Sequence, residues 1–505
     1  MVQFETGCTP NVQEDFNRAV ALLHSFEFGP AIDGFNAVLA EDPACAIAHW
    51  GIALSYWGNP FAGVRSTAAL QQGSAAIDNG QAVDSGTARE RAYIEAAATL
   101  FENYEAVSQR ERVLAYAEAM ERVSREYPED TEAQIFYALA VNQTALPTDK
   151  TYAPQLKAAG ILEPLVEKYP DHPGLTHYII HAYDHPPLAS RALTAARRYA
   201  EIAPSAPHAL HMPSHTFTRV GAWEESAETN RRSEQTAIEQ GATTEALHAM
   251  DYQAYAYLQM AQYRNAKAVL DRLPEVVAKF NPDAIDSAAP PMAGFFAMTA
   301  IPARYALERG AWEEAAQTAV PRKGTPFTIA MAHFTRAIGA ARTGHPGAAR
   351  ADLDQLAVLR DRLKDERDDY WAGQVDIQHR VATAWVAFAD GRKEEGIETL
   401  RAAAEAEDAS DKSAVTPGPL APARELLGYM LLEAGNPKSA LIEFEKSMIK
   451  EPRRFRGAYG AAQAAEAAGD RDKARRYFQA LLDIAGDADS ALPELERAQE
   501  YLAAR

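Results

Sequence analysis

The sequence predicts an all-α protein, a right-handed solenoid of about eleven helix–turn–helix repeats. Two observations lead to this fold class. A pattern of small, aromatic and proline residues returns at a regular interval along the 505 residues, and the polar–apolar alternation typical of β-strands is nearly absent. A single helix pair cannot bury its apolar face alone, so neighbouring pairs are expected to stack into one continuous core.

The repeat is clearest in residues 421–454. The residues that mark a tetratricopeptide repeat of roughly 34 residues recur here at the expected intervals. They are Leu427, Gly428, Gly435, Ala440, Phe444 and Pro452. The strings "GAWEES" at 221 and "GAWEEA" at 310 are the same turn between paired helices, used twice. Each repeat is therefore predicted to be two antiparallel helices, with proline following the second.

Interruptions of the periodicity suggest the domain organisation. We predict an N-terminal repeat array at residues 1–282, which carries a histidine-rich groove, and a C-terminal array at 283–505, which continues the solenoid. Residues 407–420 are rich in Ser, Pro and Gly and are expected to form a flexible insertion.

The composition narrows the location and the partners. A formal net charge of −20, without a basic stripe, excludes nucleic acid and anionic membranes. No apolar run is long enough to span a membrane, and the N-terminus lacks the pattern of a secretory signal, so a cytoplasmic location is expected. Cys8 and Cys45 could form one disulfide, but buried free thiols are the expectation for a large cytosolic protein.

The histidines are concentrated in two short stretches and follow the repeat. His177 and His181 fall at positions 5 and 9 of one first helix, and His211 and His215 fall at the same positions of the next. Residues about one turn apart lie on one helix face, which in tetratricopeptide repeats lines the concave groove. Duplicated repeats can copy residues without function, but the other repeats lack these histidines.

This register predicts a metal site. Two histidines four residues apart can bind one ion, and neighbouring helices are close enough for their imidazoles to converge. His177, His181, His211 and His215 are the predicted ligands, and imidazoles suit Zn, Cu or Fe. No phosphate-binding glycine loop is present, so no nucleotide cofactor is expected. The competing interpretation is ordinary polarity of a groove or core.

Further groove residues could complete such a site. His248 and Asp251, on the next first helix, are candidate ligands or a catalytic acid and base. Arg219, Tyr252 and Glu132 could bind a substrate, although each taken alone is equally compatible with ordinary groove polarity. His172 and His185 adjoin prolines at turns and are expected to be solvated.

The first half of the chain also resembles a bacterial tetratricopeptide-repeat family of unassigned activity. The resemblance depends on the strings "GCTPNVQ", "DPACAIAHWGIAL", "DHPGLTHYIIHAYD", "HALHMPSHTFTRVGAW" and "LHAMDYQAYAYLQ". It implies the repeat fold and a set of residues that mark the family, and these coincide with the groove histidines. It implies no reaction.

Two classes of function follow. The first is a metal-dependent hydrolase or oxidoreductase that acts on a small molecule or peptide. The alternative is a non-catalytic scaffold that binds a peptide in the groove. A clamp for a terminal carboxylate would need Lys, Arg and Asn, whereas the groove positions of the central repeats hold mostly His, Asp and aromatic residues, with Arg219 as the lone Arg. A groove that senses pH through clustered imidazoles is a third possibility. The oligomeric state is not determined by the sequence.

Overall fold

The computed structural model describes residues 2–284 and 288–504. In these ranges the chain forms α-helices joined by turns and a few short 3₁₀-helices, and no β-strand occurs there. The all-α repeat prediction is therefore confirmed. No helix in the described part of the chain has the length and apolar character needed to cross a membrane.

The backbone groups into two compact units. The first comprises Met1–Thr216, Arg232–Ala246 and Asn281–Pro291, and the second comprises Phe217–Arg231, Leu247–Phe280 and Met292–Arg505. The predicted division at residue 282 remains a prediction, and residues 285–287 beside it lie outside the described residues.

The helices of the first unit follow one another along the chain. They are α1 (Gln13–His24), α2 (Phe28–Glu41), α3 (Ala46–Trp57), α4 (Thr67–Ala82), α5 (Ala88–Ala98), α6 (Gln109–Glu126), α7 (Thr131–Gln143), α8 (Ala153–Lys168), α9 (Pro173–Ala182), α10 (Leu193–Ile202) and α11 (Pro207–His211). Three further helices contribute residues to both units, namely α12 (Pro213–Val220), α13 (Trp223–Gln240) and α14 (Thr243–Gln259).

The remaining helices belong to the second unit, apart from the first residue of α16. They are α15 (Tyr263–Val277), α16 (Pro291–Glu308), α17 (Trp312–Ala316), α18 (Pro326–Arg342), α19 (Arg350–Asp365), α20 (Asp369–Ala389), α21 (Lys393–Asp408), α22 (Ala423–Glu433), α23 (Pro437–Lys450), α24 (Phe455–Ala467), α25 (Arg471–Ile484) and α26 (Pro493–Ala503).

In the second unit, the glycines and the phenylalanine that mark the repeat occupy helix ends and the core, as the sequence predicts. Gly310 and Gly435 end their helices with φ of 64° and 77°, a left-handed conformation that glycine adopts without steric cost. Phe444 of α23 is fully buried against Gly428 of α22 and Gly460 of α24. Successive helices from α17 to α26 pack on one another, so the core lies between the paired helices.

The first unit stacks its helices in the same way and adds one distant contact. Helix α7 packs on both α8 and α9, as expected for stacked pairs. Helix α1 also packs on α9, although some 150 residues separate them. This contact places the end of α1 and the turn after it against the histidine-bearing helix α9.

The N-terminal segment of the first unit is fixed by its own contacts. Phe4 is buried against Phe16, Trp50 and Tyr93. Cys8 and Cys45 form a disulfide, so the expectation of free thiols is wrong. A disulfide favours an oxidising compartment, and the cytoplasmic location remains a prediction.

Residues 411–420 of the second unit, here called the strap, form an irregular segment that is hydrogen-bonded to buried side chains. The Arg304 guanidinium donates to the carbonyl oxygens of Gly418 and Pro419 at 2.8 and 2.9 Å. The Tyr252 hydroxyl approaches the carbonyl oxygens of Ala414 and Thr416 at 3.1 and 3.0 Å. Serine, proline and glycine indicate an irregular segment, but these bonds hold it in place.

Candidate metal centre

Helix α9 places two imidazoles inside the first unit. It begins at Pro173, which needs no backbone hydrogen-bond partner in the first turn, and every one of its residues is buried. A helix that is buried on all sides must satisfy its polar side chains inside the protein. His177 and His181 lie one turn apart on it, with exposed fractions of 0% and 6%.

Helices α11 and α12 bring three more imidazoles into the same unit. Helix α11 begins at Pro207 and ends at His211, and Pro213 begins α12. A proline cannot continue the hydrogen-bond ladder of the preceding helix, so the chain breaks at this point. His208, His211 and His215 of this segment are all buried.

Together these side chains form a closed ring of five imidazoles. The neighbouring ring centroids are separated by 4.9 Å for His177 and His181, 5.9 Å for His181 and His215, 5.0 Å for His215 and His211, 6.2 Å for His211 and His208, and 5.1 Å for His208 and His177. The four predicted ligands therefore do converge, and His208 completes the ring.

Three of the five bring one ring nitrogen each to a common point. One nitrogen from each of His177, His181 and His208 lies within 4.8 Å of the others, so small movements of the side chains would bring all three onto one ion. We call these three residues the histidine trio. The structure thus pairs His177 and His181 with His208.

The hydrogen bond of His177 fixes which of its nitrogens can bind an ion. Its Nδ1 lies 2.7 Å from the carbonyl oxygen of His24, which can only accept, so Nδ1 carries the proton. Burial, and then the neighbouring His181 and His208, hold the pKa of His177 well below its usual value, so the ring is neutral. Its Nε2 therefore presents a lone pair, and it has no hydrogen-bond partner among the described residues.

His208 also has ring nitrogens without hydrogen-bond partners among the described residues, and it lies near a carboxylate. Neither of its ring nitrogens makes a hydrogen bond within the described structure. The Glu245 carboxylate lies 3.7 Å from its Nδ1, at the distance of an ion pair. A carboxylate behind a ligating imidazole is a common outer-shell arrangement at metal sites, because it orients the ring and raises its basicity.

Aromatic rings enclose the histidine trio. Phe26 lies 4.4, 5.9 and 5.5 Å from the rings of His177, His181 and His208, measured between centroids. Phe61 stacks on His181 at 4.2 Å. These apolar walls exclude water, which strengthens electrostatic interactions between the imidazoles and a cation.

His211 and His215 form a separate hydrogen-bonded pair. The Nδ1 of His215 lies 2.9 Å from the Asp184 carboxylate, which places its proton on Nδ1. Its Nε2 is 3.1 Å from the Nε2 of His211, so His211 donates to it. Binding of a metal to His215 would have to replace this bond, whereas the Nε2 of His177 has no such competitor. Their roles as ligands remain predictions.

Glu132 joins a second histidine cluster of the first unit. Its two carboxylate oxygens lie 2.8 Å from the Nε2 of His24 and 2.9 Å from the Nε2 of His172. Burial alone would raise the pKa of Glu132, but the two imidazoles outweigh it and lower this pKa to about 2. His172 is buried, so the expectation of a solvated turn histidine is wrong. The substrate-binding role of Glu132 remains a prediction.

Gly174 makes the approach of His24 to α9 possible. A Cβ atom at residue 174 would lie 2.4 Å from the Nδ1 of His24, well inside van der Waals contact. We expect Gly174→Ala to displace this ring and to lower the free energy of unfolding by about 1–3 kcal/mol. Urea denaturation measures the change.

A matched control for this variant is Gly160→Ala in α8, where an added Cβ would meet no atom within 4 Å. That variant should raise stability by about 0.5–1 kcal/mol, since alanine favours a helix. Equal stability of the two alanine variants would contradict the close approach of His24.

Glu27, in the turn after α1, makes stability depend on pH. Burial, and then the Glu245 carboxylate, raise the pKa of Glu27 to about 8, while the backbone N–H of His208 opposes the shift. Between the ordinary carboxyl pKa and about 8, the folded protein therefore holds a proton that the unfolded chain has released. Stability accordingly falls as the pH rises through this window.

We expect Glu27→Gln to flatten this dependence and to be the more stable protein near pH 8, by on the order of 1–3 kcal/mol. Urea denaturation in a chelator across the window from about pH 5 to pH 9 measures it. Glu118→Gln on the exposed face of α6 is the control. An unchanged pH slope in the Glu27 variant would contradict the assignment.

The other predicted site residues belong to the second unit. Arg219, His248, Asp251 and Tyr252 are all buried there. His248 packs edge-on against Tyr252, with 5.3 Å between ring centroids. The Asp251 carboxylate accepts from Arg304 at 3.1 Å, and burial as the larger influence raises its pKa. Their catalytic and substrate-binding roles remain predictions.

Sequence reasoning left two participants out of the candidate site. His208 lies in the groove register at position 2, but the match between positions 5 and 9 of two repeats drew attention to other histidines. Glu27 approaches the trio through the distant packing of α1 on α9, which no repeat period encodes. The glutamate in "LLHSFEF" carried no signal of its own.

Comparisons with known proteins give no family for this chain. No family model matches it, and no curated protein matches it. The solved structures that align with it include the TPR domain of P58(IPK) and the Cut9–Hcn1 hetero-tetramer of the APC/C.

The two alignments are distant. The first has 14% identity, covers 73% of this chain and 98% of that chain, and has a TM-score of 0.22. The second has 11% identity, covers 97% and 95%, and has a TM-score of 0.27. At these TM-scores neither likeness carries an argument, so the assignment of helical repeats depends on the helix pairs and turn glycines of the chain itself.

Proposed function

We propose that this repeat protein binds one divalent transition-metal ion through His177, His181 and His208. The observation that carries the proposal is the chemical state of the histidine trio. The Nε2 lone pair of His177 is buried and is aligned by the bond from Nδ1 to the carbonyl oxygen of His24, and one ring nitrogen of each trio member lies within 4.8 Å of the others. Buried polar atoms without partners are rare in proteins, and a bound ion is one explanation for them.

The donor set narrows the choice of metal. Three imidazole ligands suit Zn, Cu or Fe and disfavour Mg and Ca, which prefer oxygen ligands. Three protein ligands leave a fourth position of a tetrahedral site for water or another group. The nearby Glu245 carboxylate would offset the charge of a bound cation.

The burial of the histidine trio favours a structural metal ion over a catalytic one. The three ligands are between 0% and 6% exposed, and aromatic rings surround them. Catalytic metal sites need a path for substrate to the open position. The metal-dependent hydrolase or oxidoreductase therefore stays a hypothesis from the sequence, with His248 and Asp251 as its acid and base.

Metal content tests the proposal directly. Tag-free protein is purified without chelator, dialysed against Zn²⁺, Cu²⁺ or Fe²⁺ in turn, and analysed for metal and for protein concentration. We expect close to one equivalent of one of these metals. A protein that retains none of the three after dialysis would overturn the proposal.

The interaction scaffold is the second candidate, and the strap favours it. In the second unit Arg304 and Tyr252 contact four backbone carbonyl oxygens of the strap, and Arg304 makes one further bond to the side chain of Thr416. A surface that reads the backbone of one extended segment can accept another.

A labelled peptide with the sequence of residues 409–421 tests this candidate. It is titrated into protein in which the strap is replaced by a Gly/Ser linker. Binding that is lost in Arg304→Gln would support the scaffold, and failure to bind would count against it.

A further inference from the structure

A pocket in the second unit is lined by charged and aromatic residues that the proposed metal function does not use. Its cavity volume is about 310 Å³, at the lower end of the range of small-molecule sites. Its lining residues come from α16, α17, α18, α20 and α22 and from the start of α24.

The floor of the pocket is a closed network of ion pairs. The buried Arg454 guanidinium donates to Glu308 at 2.6 Å and to Glu425 at 3.0 Å. Its third partner is the Tyr255 hydroxyl at 2.7 Å. These groups satisfy one another, so the floor offers little to a ligand beyond a rigid base.

The wall of the pocket contains an arginine that is stacked on two tryptophans. The Arg342 guanidinium lies over the rings of Trp312 and Trp385, at 5.1 and 4.4 Å from their centroids. Stacking of this kind holds a guanidinium flat and fixed without occupying all its N–H groups. An ion pair with Glu433 uses one of the Nη atoms.

Two donors in this wall have no partner in the described structure. They are the Nε of Arg342 and the Nε1 of Trp385, both buried. An unsatisfied buried donor costs about 1–3 kcal/mol, so a pair of them in one pocket calls for an acceptor. Because both groups can only donate, the missing group is an acceptor and not a cation.

The charges around the pocket are balanced. Four arginines and three glutamates line it: Arg309, Arg342, Arg454, Arg456, Glu308, Glu425 and Glu494. Arg342 also pairs with Glu433, and Arg309 pairs with Glu314, neither of which lines the pocket. The two donors, and not a net charge, therefore favour an acceptor.

We propose that this pocket binds a small-molecule carboxylate with a flat apolar body. The carboxylate would accept from Arg342 Nε and Trp385 Nε1, with Arg456 near by. The apolar body would lie against Leu426 and Ile338, which also line the pocket. This site lies wholly in the second unit and is independent of the histidine trio.

The probe for this site is 4-fluorobenzoate, followed by ¹⁹F NMR during titration with the full-length protein. The neutral isostere 4-fluorobenzamide is the comparison ligand. We expect the carboxylate to bind and the amide to bind at least tenfold more weakly, about the discrimination expected when one charge-assisted hydrogen bond is lost.

Variants locate the binding. Arg342→Gln should weaken 4-fluorobenzoate roughly tenfold or more, and Trp385→Phe, which keeps an aromatic ring but removes the donor, should weaken it several-fold. Arg336→Gln is the matched control, because Arg336 lies on the same helix outside the pocket and pairs with Asp352. It should leave binding unchanged.

Three results would overturn the proposal. The first is no binding of 4-fluorobenzoate, and the second is equal binding of the acid and the amide. The third is unchanged affinity in Trp385→Phe, a variant that is expected to fold even if Arg342→Gln does not. Binding of an acidic peptide without binding of 4-fluorobenzoate would assign the pocket to a macromolecular partner and would also count against it.

Discussion

Replacing His208 with alanine is expected to abolish metal binding, although the repeat register alone does not select this residue. His208 supplies one of the three nitrogens that meet within 4.8 Å. Loss of an outer-shell partner already costs about 10–100-fold in metal affinity, so loss of a ligand should cost more than about 100-fold. Competition with a chelating dye measures the affinity for Zn²⁺ in wild type and variant.

His211→Ala/His215→Ala is the decisive comparison. The repeat register predicts that these two residues are ligands, whereas the structure joins them to each other and to Asp184. We expect the double variant to keep most of its metal affinity. Loss of binding in this variant, with binding retained in His208→Ala, would restore the ligand set that the register predicts.

A control must separate loss of a ligand from loss of any histidine. His345 is exposed in the second unit, and His345→Ala removes one imidazole without touching the first unit. Circular dichroism of each variant without metal shows whether the helices persist. If His208→Ala and His345→Ala bind Zn²⁺ equally, the histidine trio is not the site.

The fold was predictable because its information is local and repeated. The glycines at 310 and 435 mark helix ends through their backbone conformation, and any repeat that carries them forms the same turn. The convergence of His177, His181, His211 and His215 followed from the same periodicity. A spacing of one repeat places equivalent residues on stacked helices.

What the sequence did not predict depends on contacts between distant segments. The packing of α1 on α9 brings His24, Phe26 and Glu27 to the histidine trio, and no period relates residue 24 to residue 177. The disulfide between Cys8 and Cys45 likewise joins positions whose pairing depends on a folded N-terminal segment. The composition of residues 407–420 suggested flexibility. Composition does not reveal which buried donors form hydrogen bonds with the strap.

Arg304→Met is expected to have the largest effect on stability. Arg304 is fully buried, donates to Asp251 and holds three oxygen atoms of the strap. Removing one partner of a buried ion pair leaves an uncompensated charge, which costs about 3–5 kcal/mol. Urea denaturation measures this loss, and cleavage by trypsin after Lys412 in the strap should become faster.

Arg336→Met is the control for this prediction. Arg336 pairs with Asp352 from a partly exposed position on α18, so its replacement should cost less than about 1 kcal/mol. Tryptic cleavage after Lys412 should be unchanged in that variant. Similar losses for the two methionine variants would show that Arg304 does not fix the strap.

The double variant Asp251→Asn/Arg304→Met separates a structural role of Asp251 from a catalytic one. If the carboxylate is present chiefly as the partner of Arg304, neutralising it removes the buried charge, and the double variant should recover part of the stability that Arg304→Met loses. Asp251→Asn alone should then lower stability, because Arg304 loses its counter-charge. If Asp251→Asn instead raises stability, the carboxylate is strained in the folded protein, as expected of a group kept for chemistry, and the catalytic role predicted from the sequence would gain support.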